Sequence, residues 1–101
     1  MIARHWHGIT RADSATQYLA HLTDTTIPHL KTIAGFKRAT IHTRASNPGI
    51  EFLVITEWES EDVIRAFAGD DVEAAVVPAF VQSLMISFDA RARHFELQYK
   101  T

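Results

Sequence analysis

Two strongly β-forming runs lie on either side of a turn sequence in the middle of the chain, and this feature constrains the fold most. The runs are FKRATIHTR (36–44) and IEFLVITEW (50–58), both rich in aromatic and β-branched residues. The residues between them, SNPG (46–49), are typical of a tight turn. The sequence therefore predicts a β-hairpin at the centre of the chain.

A strand and a long helix are predicted before the hairpin. Residues 2–9, IARHWHGI, alternate two sets of side chains with a period of two, which indicates a strand. Thr10 is the expected N-cap of a helix over 12–33, where apolar residues recur at helical spacing and Pro28 is expected to bend the helix or split it in two. Gly35 supplies the left-handed residue that ends many helices.

Helices and a last strand are predicted after the hairpin. Ser60 is the expected N-cap of a helix that Gly69 ends. Capping-box spacing predicts a helical turn over 71–76. A short helix is favoured over 80–88, although the letters LMISF within it are equally compatible with a strand. Residues 90–99, ARARHFELQY, alternate as a terminal strand.

The resulting order, β-α-β-β-α-β, is that of the ferredoxin-like fold of the α+β class. We expect a single domain over 1–101, with a four-stranded antiparallel sheet and both helices on one face of it. The other face carries apolar and aromatic residues and needs cover. A second copy of the chain is the expected partner, through the bare sheet faces.

Composition and motifs exclude several classes of function. Ten Lys and Arg residues against twelve Asp and Glu give a formal net charge of −2 and no cysteine is present, so neither a basic surface for nucleic acid nor a thiolate site is expected. No apolar run approaches the about 18 residues of a membrane span. No Gly-rich phosphate loop and no G-x-S-x-G motif occurs. We expect a cytoplasmic protein without membrane, nucleic-acid or cofactor binding.

Two histidines near the start of the chain form a candidate metal site. His5 and His7 point to one face of the first predicted strand, about 6.6 Å apart at about 3.3 Å per residue. With Glu96 from a neighbouring strand they would make a two-His-one-carboxylate set for iron or zinc. The alternative is that the two imidazoles are ordinary hydrogen-bonded residues of a surface or interface.

Several stretches together resemble the antibiotic biosynthesis monooxygenase (ABM) domain family. They are IARHWHG, EFLVITEWESEDVIRAFAGDD (51–71), VEAAVVP and RARHFE, in the element order given above. The most diagnostic piece is a tryptophan followed by serine and a short helix, W-x-S-x-x-x-I-x-x-F. The resemblance implies a small ferredoxin-like chain that pairs sheet to sheet as a dimeric α/β barrel.

The family contains oxygenases that need no cofactor and others that degrade haem. In the former, the resemblance places their tryptophan on Trp58, but their asparagine falls on Val54 and their tyrosine on Ile64, both aliphatic here. In the haem-degrading branch, the tryptophan position is Phe67 and the axial histidine position is Val77. The resemblance therefore favours a cofactor-free oxygenase over a haem enzyme.

The candidate site residues follow from these matches. Arg4 and His94 lie in family-like pieces of the first and last strands, which are adjacent in this fold, so His94, or His7, is a candidate base beside an arginine that favours anions. The predicted substrate-binding residues share an apolar or aromatic character and are Trp58, Trp6, Phe67, Ile64 and Val54.

Three hypotheses follow. The first is a dimeric, cofactor-independent oxygenase that acts on a small aromatic or polyketide-type phenol in a cleft between sheet and helices. The second is a non-catalytic ligand-binding or structural dimer of the same fold, motivated by the aliphatic residues Val54 and Ile64. The third is a metal-dependent enzyme that uses His5 and His7.

Overall fold

A sheet of five antiparallel strands, with helices packed on one face, organises the computed structural model, which describes all residues 1–101. The strands are β1 (Ile2–Thr10), β2 (Phe36–Ala45), β3 (Ile50–Trp58), β4 (Met85–Phe88) and β5 (Arg93–Glu96). The strand order is β2-β3-β1-β4, and β5 also pairs with β1. This confirms the predicted α+β, ferredoxin-like arrangement around a central first strand.

The helical segments fall before and after the hairpin. The first is continuous and consists of a 3-10 turn (Ala12–Ser14), α1 (Ala15–His21), a π-helical turn (Leu22–Thr26) and α2 (Ile27–Leu30). The second group consists of α3 (Glu61–Ala68) and α4 (Ala79–Leu84). None of these helices combines the length and apolar character that crossing a bilayer requires.

The pairing of β1 with β3 fixes which side chains face the helices. Nine residue pairs run without interruption from Ile2 opposite Trp58 to Thr10 opposite Ile50. Because side chains alternate along a strand, the even-numbered residues of β1 share a face, and Arg4, Gly8 and Thr10 on it are buried. The odd-numbered residues lie on the opposite face, which no helix covers.

The last strand position of the sheet is divided between two short strands. Residues 85–88 form β4 on one end of β1, and residues 93–96 form β5 on the other end. The predicted helix over 80–88 is therefore wrong beyond Leu84, and the predicted strand over 90–99 is shorter than expected. The apolar run LMISF suits either state, and the free edge of β1 near Gly8 offers it backbone partners.

Three local predictions also need correction. Thr10 is the last residue of β1 rather than a helix N-cap, because its backbone pairs with Ile50. Residues 71–76 form turns and an isolated bridge from Ala74 to Arg91 instead of a helix. Pro28 lies in the first turn of α2, where its missing N–H is tolerated, and the irregularity precedes it as the π-helical turn.

The core consists of two separate clusters of buried side chains on the helix-covered face. The first core cluster is Tyr18, Leu22, Phe52, Val81, Leu84 and Met85. The second core cluster is Leu30, Trp58 and Ile64. Because the two clusters do not merge, the space between them is left as a cleft above the middle of the sheet.

Candidate functional site

The cleft between the two core clusters is the candidate site. The residues around it come from β1, the first helical segment, β3, α3 and the segment around α4: Arg4, Trp6, Tyr18, His21, Leu22, Thr26, Leu30, Val54, Thr56, Phe67, Val76, Pro78 and Val81. The cavity volume is about 80 Å³, and the total empty space of the cleft, with the open solvent at its mouth included, is about 610 Å³. Its walls are mainly apolar, with a few polar groups, as in many sites for small ligands.

The first helical segment forms one wall because of a four-residue repeat. Tyr18, Leu22, Thr26 and Leu30 all line the cleft. In a regular α-helix, residues four apart drift by about 40° per step, so four such residues would leave a common face. The π-helical turn over Leu22–Thr26 has more residues per turn and takes up this drift. It therefore keeps the repeat directed at the cleft.

The sheet forms the floor of the cleft. Trp6 and Val54 face each other as Cα partners on β1 and β3, and both line the cleft. The Trp6 indole N–H donates to the Asp89 carbonyl at 2.8 Å, so the ring is held in place at the point where β4 ends. Trp6, Val54 and Phe67, which were predicted to bind substrate, are thus brought together in one site.

Arg4 brings a positive charge to the cleft and is itself 5% exposed. Its guanidinium donates to the carbonyls of Val72 and Ala74, the latter at 2.8 Å, and lies 5.7 Å from the centre of the Phe67 ring. Burial lowers the pKa of Arg4, and the carboxylate of Glu73 opposes that shift. Because guanidinium remains protonated in proteins, Arg4 gives the cleft a fixed cation.

His94 is joined to Arg4 but is not a free base. The Arg4 guanidinium lies 2.7 Å from His94 Nε2, and His94 Nδ1 lies 3.0 Å from a Glu61 carboxylate oxygen. A guanidinium can only donate, so Nε2 accepts and the ring proton is on Nδ1, which donates to Glu61. The side chain is 5% exposed. The chain therefore brings the predicted pair together, with the basic nitrogen of His94 already occupied.

Trp58 and Ile64 do not line the cleft. Both are fully buried in the second core cluster. The Trp58 indole N–H donates to Thr56 Oγ1 at 2.8 Å and is therefore not free to donate to a ligand. Phe67 stacks on Trp58 with ring centres 6.0 Å apart and presents its own ring to the cleft instead.

His7 and His5 lie on the uncovered face of the sheet, away from the cleft. His7 Nδ1 is 3.4 Å from an Asp89 carboxylate oxygen. His5 packs against Phe95, with ring centres 5.0 Å apart. His7 is therefore separated by the sheet from any ligand in the cleft.

The proposed third metal ligand lies on the other face. Glu96 is the Cα partner of Ile2, whereas His5 is the partner of Arg93. Adjacent paired residues share a face and alternate along the strand, so Glu96 points away from the face of His5 and His7. No group of three or more His, Cys, Asp or Glu side chains is placed to hold a metal ion. The two-His-one-carboxylate set is therefore not formed.

Sequence reasoning missed four polar residues of the cleft. They are Tyr18, His21, Thr26 and Thr56. A signal was present in Tyr18 and Thr26, which recur at helical spacing on the face of the first helix that was expected to meet the core. His21 follows Tyr18 by three residues, so helical spacing places it beside the same face, but only the packed structure shows that an open cleft lies there.

Comparison with known proteins supports the fold. No protein-family model matches this sequence, and no similar sequence is found among the curated proteins. Two solved structures are similar over nearly the whole chain. One is the monooxygenase from the gene ActVA-Orf6 of Streptomyces coelicolor in complex with nanaomycin D, with a TM-score of 0.68, 21% identity and coverage of 99% of this chain and 88% of that chain.

The second structure is a Bacillus cereus protein assigned as an antibiotic biosynthesis monooxygenase. Its TM-score is 0.67 at 14% identity, with coverage of 100% of this chain and 96% of that chain. The chain therefore has the fold of antibiotic biosynthesis monooxygenases, which confirms the resemblance identified from the sequence at the level of the fold. At these identities the likeness does not carry substrate or reaction with it.

Proposed function

We propose that this protein is a cofactor-independent monooxygenase that acts on a small aromatic or polyketide-type phenol in the cleft between sheet and helices. The observation that carries the proposal is the cleft itself, which combines aromatic walls, Trp6 and Phe67, with the buried cation of Arg4. An aromatic wall suits a flat ring, and a fixed cation favours the anionic form of a phenol.

The chemistry needs little from the protein beyond binding and proton transfer. A deprotonated, electron-rich phenol can itself donate an electron to O₂, so no redox group is required. For an anthrone-type substrate, a ring CH₂ group and O₂ give a ring carbonyl and one water molecule. One oxygen atom enters the product, the other leaves as water, and the substrate supplies the electrons.

Oxygen uptake tests this proposal. Purified, metal-free protein is mixed with anthrone-type and hydroquinone substrates, and O₂ consumption is followed with an electrode. We expect consumption above the uncatalysed rate for at least one substrate, with a Val54→Trp variant, which fills the cleft floor, losing most of it. A wide panel with no consumption above background would contradict the proposal.

A second candidate is a ligand-binding protein without catalysis. The observation that favours it is that Arg4 and His94 are already bonded to each other, and Arg4 also to backbone carbonyls. This candidate predicts that an aromatic ligand quenches the fluorescence of Trp6, which lines the cleft, but is recovered unchanged. A Trp6→Phe variant should lose the quenching, because Trp58 is buried outside the cleft. Turnover of the bound ligand would remove this candidate.

We also propose that the protein is a homodimer through the uncovered face of its sheet. Leu53 and Ile55 of β3 are half-buried on this face, and Phe95 of β5 is 42% exposed there. Apolar side chains on a sheet face that no helix covers favour association. A second copy with the same face would cover it through an isologous contact.

A further inference from the structure

We propose that His21 and Tyr18 of α1 are the proton acceptor and the hydrogen-bond donor of the cleft, and that the cleft binds acidic phenols or enols as their anions. This inference rests on the proposed function, because it names the groups that would ionise the phenol. The sequence analysis expected the base on the sheet, at His94 or His7, whereas this inference places it on the first helical segment.

His21 is the one histidine of the six that lines the cleft. Its ring packs against Phe80, with ring centres 5.2 Å apart, which holds the imidazole at the mouth. No hydrogen bond or ion pair joins either ring nitrogen to another protein group, whereas His94 and His7 both contact carboxylates. A half-buried imidazole with free nitrogens can take a proton from a ligand.

Tyr18 is 3% exposed, and its hydroxyl has no hydrogen-bond partner within the protein. The only enclosed side-chain polar atom that lacks a partner is Thr10 Oγ1, so the Tyr18 hydroxyl must reach open space. Because Tyr18 lines the cleft, that space is the cleft. Its ring is fixed edge-on against Phe52 at 4.8 Å.

The two side chains are suited to different roles. Burial raises the pKa of Tyr18 well above its ordinary value, so its hydroxyl keeps its proton and remains a donor. His21 follows it by three residues on α1, and side chains at this spacing share a helix face about 5–6 Å apart. Both groups can therefore address one ligand oxygen.

The proposed step is a single proton transfer. The phenol O–H bond breaks, an N–H bond forms on His21, and the electron pair stays on the phenolate oxygen. The Tyr18 hydroxyl donates a hydrogen bond to that oxygen, and the charge of Arg4 lies on the floor of the same cleft. When the ligand leaves, His21 returns the proton to the ligand or to water.

Binding of 4-nitrophenol tests the inference without turnover, because its phenolate absorbs at longer wavelength than the phenol. At about pH 6, we expect the probe bound to the unmodified protein to be mostly ionised, while the free probe is mostly neutral. In His21→Gln the ionised fraction of the bound probe should fall well below that in the unmodified protein. In Tyr18→Phe the dissociation constant should rise about fivefold.

His29→Gln is the matched control, because His29 lies on α2 in the same helical segment but is exposed and outside the cleft. It should behave as the unmodified protein. An ionised fraction that is unchanged in His21→Gln, or no binding of the probe by the unmodified protein, would overturn the inference.

Oxygen uptake separates this inference from the proposed function. Ionisation of the probe that depends on His21, with no O₂ consumption on any substrate, would overturn the oxygenase and support the acid–base pair. O₂ consumption that is the same in His21→Gln as in the unmodified protein would support the oxygenase and overturn the assignment of His21.

Discussion

At the level of single residues, Arg4 is bonded to three groups of the protein itself. Its donors reach two backbone carbonyls of the segment between α3 and α4 and the imidazole of His94. All three hydrogen bonds are partly buried. The residue therefore has a structural role in fixing residues 72–74 against β1, in addition to its charge in the cleft.

Replacing Arg4 with alanine should cost about 3 kcal/mol of unfolding free energy, because three partly buried acceptors lose their charged donor. Urea denaturation measures this change. The control is Arg65→Ala, which removes an exposed arginine paired with Asp62 and Asp70 and should cost less than about 1 kcal/mol. Equal costs for the two variants would contradict the structural role of Arg4.

His5, on the uncovered face of the sheet, makes the stability of the protein depend on pH. Burial lowers its pKa below the usual value, and the neighbouring charges of His7 and Arg93 lower it further. The unfolded chain then binds a proton more readily than the folded chain. Stability from this group is therefore complete above about pH 6.5 and is lost as the pH falls from there through the lowered pKa.

Replacing Arg93 with glutamine should raise the pKa of His5 towards its usual value, because one nearby positive charge is removed. NMR titration of the imidazole protons measures this pKa. Arg91→Gln is the control, since Arg91 contacts Asp71 at 2.8 Å instead and should leave His5 unchanged. A pKa of His5 above 6.5 in the unmodified protein, or no response to Arg93→Gln, would contradict the expectation.

At the level of elements, the hairpin turn lies close to the end of β1. Gly49 has a φ of +82°, and a Cβ atom there would lie 2.0 Å from the Thr10 carbonyl oxygen. The turn therefore needs glycine for two reasons, its backbone conformation and its close approach to the neighbouring strand. The turn sequence SNPG is thus matched to a tertiary contact as well as to a local turn.

The glycines at positions 49 and 69 allow these two reasons to be separated. Gly69 has a similar φ of +84°, but no atom lies within 4 Å of an added Cβ. Gly69→Ala should lower the free energy of unfolding by about 1–2 kcal/mol, because only the backbone conformation becomes strained. Gly49→Ala should cost clearly more, about 3 kcal/mol or above, because the strand must also move. Thermal or urea unfolding compares them, and equal losses would show that the close approach is unimportant.

The periodicity of the sequence was sufficient to predict some strands and helices but not others. The hairpin, β1 and α3 were predicted close to their observed bounds, because strong alternation or a capped amphipathic stripe identifies them locally. The change from α4 to β4 at Met85 was not, because LMISF is apolar at four of its five positions and fits a helix or a strand equally well. Residues 85–88 form a strand rather than a helix because they pair with the free edge of β1.

At the level of the whole molecule, the sheet has one covered face and one bare face. The covered face contains both core clusters and the cleft between them. The bare face carries Ile55 next to His5 across the β1–β3 pairing. A charge at this position would face the partner chain in the proposed homodimer and would lose its hydration on association.

The unmodified protein should therefore have twice the mass of the chain at micromolar concentration, and Ile55→Arg should have the mass of one chain. Analytical ultracentrifugation measures both, with circular dichroism to check folding. The control is Leu19→Arg, since Leu19 is 42% exposed on α1 and outside the sheet face, and it should remain dimeric. A single-chain mass for the unmodified protein would contradict the homodimer.

Much of the candidate site could not be predicted from the sequence, for reasons that particular residues show. Arg4 and His94 were correctly placed together, because strand order makes their strands neighbours. The side chain of Trp58 was expected in the cleft, but Phe67 stacks on it and takes that place. His21 was missed, because the apolar stripe of the first helical segment indicates the side that meets the core but not which polar residues beside it border an open space.

The sequence by itself determined the first three strands, the central hairpin and the helical segments on either side of the hairpin, because each depends on the period and turn chemistry of neighbouring residues. Only the tertiary structure decided which face of β1 meets the helices, that the core divides into two clusters, and that Tyr18 and His21 rather than His7 and Trp58 border the space between them. Those outcomes depend on packing between residues far apart in the chain, and local periodicity carries no information about it.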